Sequence, residues 1–267
     1  MKARILTALA VIPVILAVLF LLPREGVISL LGLLLLIAAW EWSGFIGVKS
    51  IAARGAYAVV VGLMMMALWS WGRSESNLTL LLWLTLAWWL VAAVWVASFP
   101  GKVNATAAAL CGFLVLIPAW ASLGRLYIWS PDGPQLLLMM LLVVWAADIG
   151  AFFSGKLFGR VKLAPRVSPN KTWEGVLGGI VAASLVAYAG ARWFGLDVGA
   201  FVSLCIAVAA LSIIGDLTVS MFKRHAGLKD SGGLFPGHGG LLDRMDSVAA
   251  AAPLFLLGLG WLGMATS

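Results

Sequence analysis

The chain has 267 residues, 63% of them hydrophobic and only 11% charged, with a mean hydropathy of +1.05; an ordinary soluble domain carries about 25% charged residues. Those values exclude a water-soluble globule. The formal net charge of +7, which in a soluble protein would suggest nucleic acid, here bears on membrane topology through where the bases fall.

A membrane span takes about 20 apolar residues. Apolar runs bounded by charge, Gly or Pro predict spans near residues 5–22, 27–47, 56–72, 78–98, 106–126, 135–155, 174–194, 199–222 and 247–264. The runs are continuous rather than alternating, so they read as helices and not as strands of a barrel; a helix also satisfies its own backbone hydrogen bonds in lipid. The fold class expected is an all-α polytopic membrane protein, a bundle of about nine transmembrane helices with two long cytoplasmic loops in the C-terminal half. The first run follows Lys2 and Arg4 like a signal sequence, but no small-residue cleavage site precedes Pro23–Arg24, so it reads as a retained helix. An eight-span variant follows if 106–126 is re-entrant or broken at Pro118.

Alternating faces place Lys2, Arg4, Lys49, Arg54, Lys102, Lys156, Arg160, Lys162, Arg166, Lys171, Lys223, Arg224, Lys229 and Arg244 on one side, and only Arg24, Arg73, Arg125 and Arg192 on the other. Bases accumulate in short cytoplasmic loops. The N-terminus and both long loops are therefore expected in the cytoplasm. Trp40, Trp42, Trp69, Trp71, Trp129 and Trp193 fall near span ends, as an interfacial belt requires. Cys111 and Cys205 lie inside apolar runs and read as buried thiols.

Residues 1–134 read as an N-terminal region of about five spans, and residues 135–267 as the catalytic region. The second region holds the loops 156–173 and 223–246 and most of the acids outside the outer loops. Glu41, between Trp40 and Trp42, reads as interfacial. Acids in or beside a span face a cavity, a partner or a metal; here they are Asp148, Asp216, Asp243 and Asp246. Asp148 alone reads equally well as an interhelical hydrogen-bond partner. Asp243 and Asp246 share a helix face, and so do Asp216, Ser220 and Lys223/Arg224, with the acid deeper than the bases.

Lys229-Asp230-Ser-Gly-Gly-Leu-Phe-Pro-Gly237-His238-Gly239-Gly240 has five glycines in twelve residues just before a helix. Glycine lets backbone N–H groups approach a ligand, and a helix start favours phosphate. With Lys223, Arg224, Lys229 and Arg244 as cationic donors and Asp216, Asp243 and Asp246 as oxygen ligands for divalent metal, the set points to a polyphosphate substrate. The other loop offers Ser168, Asn170 and Lys171 at a helix start, a pattern suited to an anionic head group. His238 has no second His nearby for a zinc site and reads as a phosphate hydrogen-bond donor.

The pattern Ser220-x-x-Lys223-Arg224-x4-Lys229-Asp230-x5-Pro236-Gly237-His238-Gly239-Gly240-x-x-Asp243-Arg244-x-Asp246 resembles the signature of phosphatidate cytidylyltransferases, or CDP-diacylglycerol synthases. Ser168-Pro-Asn-Lys171-Thr-Trp-Glu-Gly175 resembles a second segment of that family, as does Asp148 with Gly150 and Ala151. The resemblance covers residues 145–250. It implies transfer of CMP from CTP to phosphatidic acid with release of pyrophosphate, an inner-membrane homodimer, and Mg²⁺ with room for a second cation such as K⁺. On this reading Asp216, Asp243 and Asp246 hold metal, while Lys223, Arg224, Lys229 and Arg244 contact the triphosphate or lipid phosphate. Ser220, Asp230, His238 and the backbone of Gly237–Gly240 complete the cradle, with Asp148, Ser168, Asn170 and Lys171 as further contacts to head group or CTP.

Two other readings were open. An ion-coupled transporter also places intramembrane acids beside glycine-rich breaks, but it calls for matching breaks in both halves, and the first half has no counterpart of residues 216–246. A CDP-alcohol phosphotransferase would carry an Asp-Gly-x-x-Ala-Arg pattern, which this sequence lacks.

Overall fold

The computed structural model describes residues 2–101, 103–128, 130–233 and 239–264, with side chains from Ile12 onward. Along those residues the chain forms α1 (Lys2–Leu21), α2 (Arg24–Trp42), α3 (Ile51–Trp71), α4 (Glu75–Ala97), α5 (Ala105–Ile128), α6 (Gly133–Phe158), β1 (Lys162–Ala164), β2 (Ser168–Thr172), α7 (Trp173–Phe194), α8 (Val198–His225) and α9 (Leu242–Trp261). The protein is an all-α polytopic bundle. Among the described residues, seven helices, α2 through α8, are long and apolar enough to cross a membrane. α1 and α9 stand where the first and last runs were expected, but α9 opens with Asp243, Arg244 and Asp246, which lower its hydropathy. α5 runs unbroken through Pro118, so no break divides the fifth run.

α9 is the axis of the bundle. Ala249, Ala250, Ala251, Ala252 and Phe255 are at most 1% exposed, because α8, α5, α4, α6 and α2 all pack around it. Small residues suit this position, since helices in lipid gain little from burying apolar surface and associate by close backbone approach. The same logic makes α6 and α7 the most intimate pair: a Cβ at Gly150 would meet the Gly178 carbonyl at 2.6 Å, and one at Gly179 the Ala147 carbonyl at 2.7 Å. Long side chains such as Val59, Met66, Val94 and Leu185 point outward, as lipid-facing residues do.

Three features differ from the sequence reading. The stretch after α6 is not plain loop; β1 and β2 form an antiparallel hairpin, Lys162 opposite Thr172, that leads straight into α7. Thr172 caps that helix, its Oγ1 accepting from Gly175 N–H at 3.1 Å. α8 continues to His225, about a turn beyond its apolar run, so that Lys223, Arg224 and His225 occupy its last turn, where the helix dipole favours cations. Trp42 belongs to no belt: it is fully buried and its Nε1 donates to the Ala108 carbonyl at 2.8 Å. Trp71 and Trp193 are exposed near span ends as expected, Trp129 lies outside the described residues, and Cys111 and Cys205 are buried free thiols.

Candidate active site

Four elements meet at one end of the bundle: α6 carrying Asp148, β2 carrying Lys171, α8 carrying Asp216, Ser220 and Lys223, and α9 carrying Asp243 and Asp246. Gly215 is what lets α8 and α9 close up there. A Cβ at that position would lie 2.5 Å from the Asp246 carbonyl oxygen, so any larger residue would push Asp216 away from Asp246.

The stripe expected on α8 is present. Ser220 Oγ donates to Asp216 Oδ1 at 3.2 Å, and Lys171 Nζ, from the hairpin, stands 2.5 Å from Asp216 Oδ2. One turn on, Lys223 Nζ lies 2.6 Å from Asp243 Oδ1. Asp246 is 5% exposed. Its Oδ1 accepts from Ser247 N–H at 2.8 Å, and its carboxyl lies within electrostatic range of Asp216, Lys223 and Lys171. Asp148 likewise stands within range of Asp216 and Lys171. Two ammonium groups thus sit among four carboxylates at a place where lone charges are costly.

A cavity of about 160 Å³ opens between α6 and α9, lined by Trp145, Asp148, Asp243, Arg244, Asp246 and Ser247. A pocket that encloses a whole small ligand spans about 300–1,000 Å³. This one has room for phosphate oxygens and ions, with the remainder of a substrate outside.

The described ends of the glycine-rich segment are held by carboxylates of the protein itself. Asp243 Oδ2 accepts from the N–H groups of Ser231 and Gly240, each at 2.9 Å. Glu41 Oε2 accepts from Ser231 Oγ at 2.9 Å and Leu242 N–H at 2.8 Å, and its Oε1 accepts from Leu241 N–H at 3.0 Å. The amides at the start of α9 are therefore directed at carboxylates of the protein itself, and Gly240 offers no free donor. Gly237 and His238 lie outside the described residues. Gly239 has φ +84°, a left-handed backbone that favours glycine, and it approaches Asp243 and Asp230.

The other predicted contacts are spread more widely. Arg224 is exposed and its Nε donates to the Val167 carbonyl at 3.3 Å, tying α8 to the hairpin. Ser168 is half-buried at the start of β2; Asn170, Lys229, Asp230 and Arg244 are exposed. Among the described residues no three acidic, His or Cys side chains converge as a ready-made metal site. Asp216 and Asp246 nonetheless form a donor set suited to a divalent ion, two hard oxygen ligands beside a polar cavity. Asp243 fits less well, since its Oδ2 is fixed by two backbone amides, whereas the oxygens of Asp216 meet only the side chains of Ser220 and Lys171.

Glu41 is a residue of this end of the bundle whose partners the sequence reading did not identify. It is 6% exposed and reaches residues 190 to 201 positions away. The cost of an acid within an apolar run was its only signal.

Residues 2–261 match the profile of the cytidylyltransferase family. A Pseudomonas aeruginosa protein named phosphatidate cytidylyltransferase is 42% identical over 98% of both chains. One of the same name from Haemophilus influenzae is 39% identical over 96% of this chain and 97% of its own. A third, from Staphylococcus haemolyticus, is 33% identical over 95% and 97%.

Proposed function

The chain belongs to the cytidylyltransferase family, and from that premise we propose that it transfers CMP from CTP to phosphatidic acid, giving CDP-diacylglycerol and pyrophosphate. The observation that carries this reading is the convergence of Lys171 and Lys223 on Asp216 and Asp243 beside the buried Asp246. Cations and oxygen ligands are interleaved at one small cavity, the arrangement that brings polyanions together.

The chemistry needs little else. A phosphatidate oxygen attacks the α-phosphorus of CTP and the bond to the β-phosphate oxygen breaks, with pyrophosphate leaving. A phosphomonoester is mostly ionised near neutral pH, its second pKa being about 6, so no strong general base is required. The barrier lies in bringing negative charges together, and fixed cations lower it because they stabilise charge as it develops. Lys171 and Lys223 do this at the carboxylate cluster; Arg244 lines the cavity, and Lys229 and Arg224 add positive charge at its surroundings. Asp216 and Asp246 would hold Mg²⁺, with Asp243 joining if Lys223 exchanges to substrate phosphate; the ion supplies Lewis-acid polarisation of phosphoryl oxygens. With substrate bound, Lys171 would pair with phosphate instead of Asp216, leaving the Asp216 carboxylate able to hold the ion.

An apolar groove of about 400 Å³, lined by Val96, Phe99, Leu163, Val167, Trp173 and Leu217, runs along the other face of α8. Trp173 and Leu217 are close in sequence to Lys171 and Asp216, so acyl chains seated there would hold the phosphate near the cations. The reading also includes K⁺ as a second cation, a homodimer, and an inner membrane with the N-terminus and both long loops in the cytoplasm. The asymmetry of the basic residues supports that orientation. Purified protein given Mg²⁺, CTP and phosphatidate should release pyrophosphate only when both substrates are present. Release with CTP alone, or none at all, would overturn the proposal.

A further inference from the structure

Two carboxylates each join the two described ends of the glycine-rich segment, Ser231 on one side and residues 240–242 on the other. Asp243 joins the Ser231 and Gly240 amides. Glu41 joins the Ser231 hydroxyl to the Leu241 and Leu242 amides. Asp243 belongs to the turn's own helix, whereas Glu41 comes from the last turn of α2, in the other half of the chain.

We propose that Glu41 is a positioning residue for cytidylyl transfer, clamping residues 231 and 241–242 so that Asp243 and Lys223 are held in register with Asp216 and Asp246. The inference rests on the proposed reaction for its kinetic consequence, but its structural half stands alone. Three observations carry it. The Glu41 carboxylate is buried and accepts three hydrogen bonds of 2.8–3.0 Å. Both flanking glycines make room for it: a Cβ at Gly232 or at Gly240 would fall on the Glu41 carboxylate, so these two positions are small because a side chain from α2 occupies the space. Finally, the contacts form a relay, since Ser231, held by Glu41 through its hydroxyl, holds Asp243 through its amide, and Asp243 holds Lys223.

Glu41 touches no reacting atom on this reading, so its loss should act through geometry. The variants are Glu41→Ala, Glu41→Gln and Ser231→Ala, each measured for kcat, KM for CTP, melting temperature in detergent, and hydrogen exchange at residues 240–243. Outer partners of a reactive site typically contribute about 10- to 100-fold in activity. Glu41→Ala is expected to lower kcat by about that factor in protein that remains folded, with faster exchange at Leu241 and Leu242. Glu41→Gln should fall between, because its amide turns a donor toward amide donors. Ser231→Ala should lower kcat on its own but add little to Glu41→Ala, since the two changes remove the same contact. Where Glu41→Ala does not fold, the Ser231 and Gln variants decide. A lower yield or melting temperature with kcat, KM and exchange at 241–242 unchanged would overturn the inference and leave Glu41 a stabilising contact only. An inactive wild type would instead count against the proposed reaction, while slower exchange in wild type than in Glu41→Ala would still support the clamp.

Discussion

Lys171, at the end of a short hairpin, stands 2.5 Å from Asp216 in the middle of α8, 45 positions away in sequence. Neither residue is exposed enough for the pair to be a surface ornament, their side chains being 25% and 29% accessible. The pair joins the Ser168–Gly175 segment to α8, the helix on which the main family-like pattern begins one turn later at Ser220, and the chemistry of each partner matters separately.

Lys171→Met should remove a cation from the reacting centre and leave Asp216 its hydrogen bond from Ser220 and the more distant charge of Lys223. Removing one preorganised electrostatic donor typically costs about 100- to 1,000-fold in turnover, and a loss of that order is expected here. Lys171→Arg should retain part of the rate. Steady-state kcat at saturating CTP and phosphatidate checks both; an undiminished Lys171→Met would remove this lysine from the mechanism.

Asp246→Asn is nearly isosteric and keeps a group to receive the Ser247 amide, so the bundle should stay folded. Turnover should nevertheless fall by about 100-fold or more, because a neutral amide holds a divalent ion poorly and the negative charge of the transition state then goes uncompensated. Unchanged melting with lost turnover is the expected result; near-normal activity would show that Asp246 is not a ligand of the reactive ion.

Mg²⁺ bound to the folded state alone should raise the melting temperature. A ligand at 100 times its Kd stabilises by about 2.7 kcal/mol, enough to detect by thermal unfolding in detergent. The rise should shrink in Asp216→Asn and Asp246→Asn and persist in Asn170→Ala. An equal Mg²⁺ response in all four proteins would place the ion elsewhere.

Gly178→Leu should weaken the α6–α7 pair, because a Cβ at Gly178 already falls on Ser154. Overpacking a close interface costs about 1–3 kcal/mol, and both Asp148 and the hairpin bearing Lys171 depend on this pair. Lower melting temperature together with lower activity is expected, and an unaltered melting curve would contradict the packing described.

Much of this site was legible in the sequence, for identifiable reasons. Helix positions followed from uninterrupted apolar runs, which lipid permits only as helices. The Asp216, Ser220, Lys223 stripe followed from helical spacing alone. The hairpin did not show because strands of three and five residues, Lys162–Ala164 and Ser168–Thr172, are too short to display a period. Hydropathy also stops where lipid stops, so the last turn of α8 was read as loop. The partners of Lys171 and Glu41 are set by how helices pack, and spacing along the chain carries no trace of them. Gly232 and Gly240 make room for an acid of this protein, a use of small residues that looks the same in sequence as a phosphate cradle.

The central claim is that the carboxylate and ammonium cluster around Asp216 directs a nucleotidyl transfer to lipid. It is tested most directly by the fate of label from CTP marked at its α- or γ-phosphate, with wild type and Asp216→Asn compared. The α-label should enter the lipid phase and the γ-label should leave as pyrophosphate in wild type, with both signals lost in the variant. Label from the γ-position in lipid, or equal transfer by Asp216→Asn, would contradict the account.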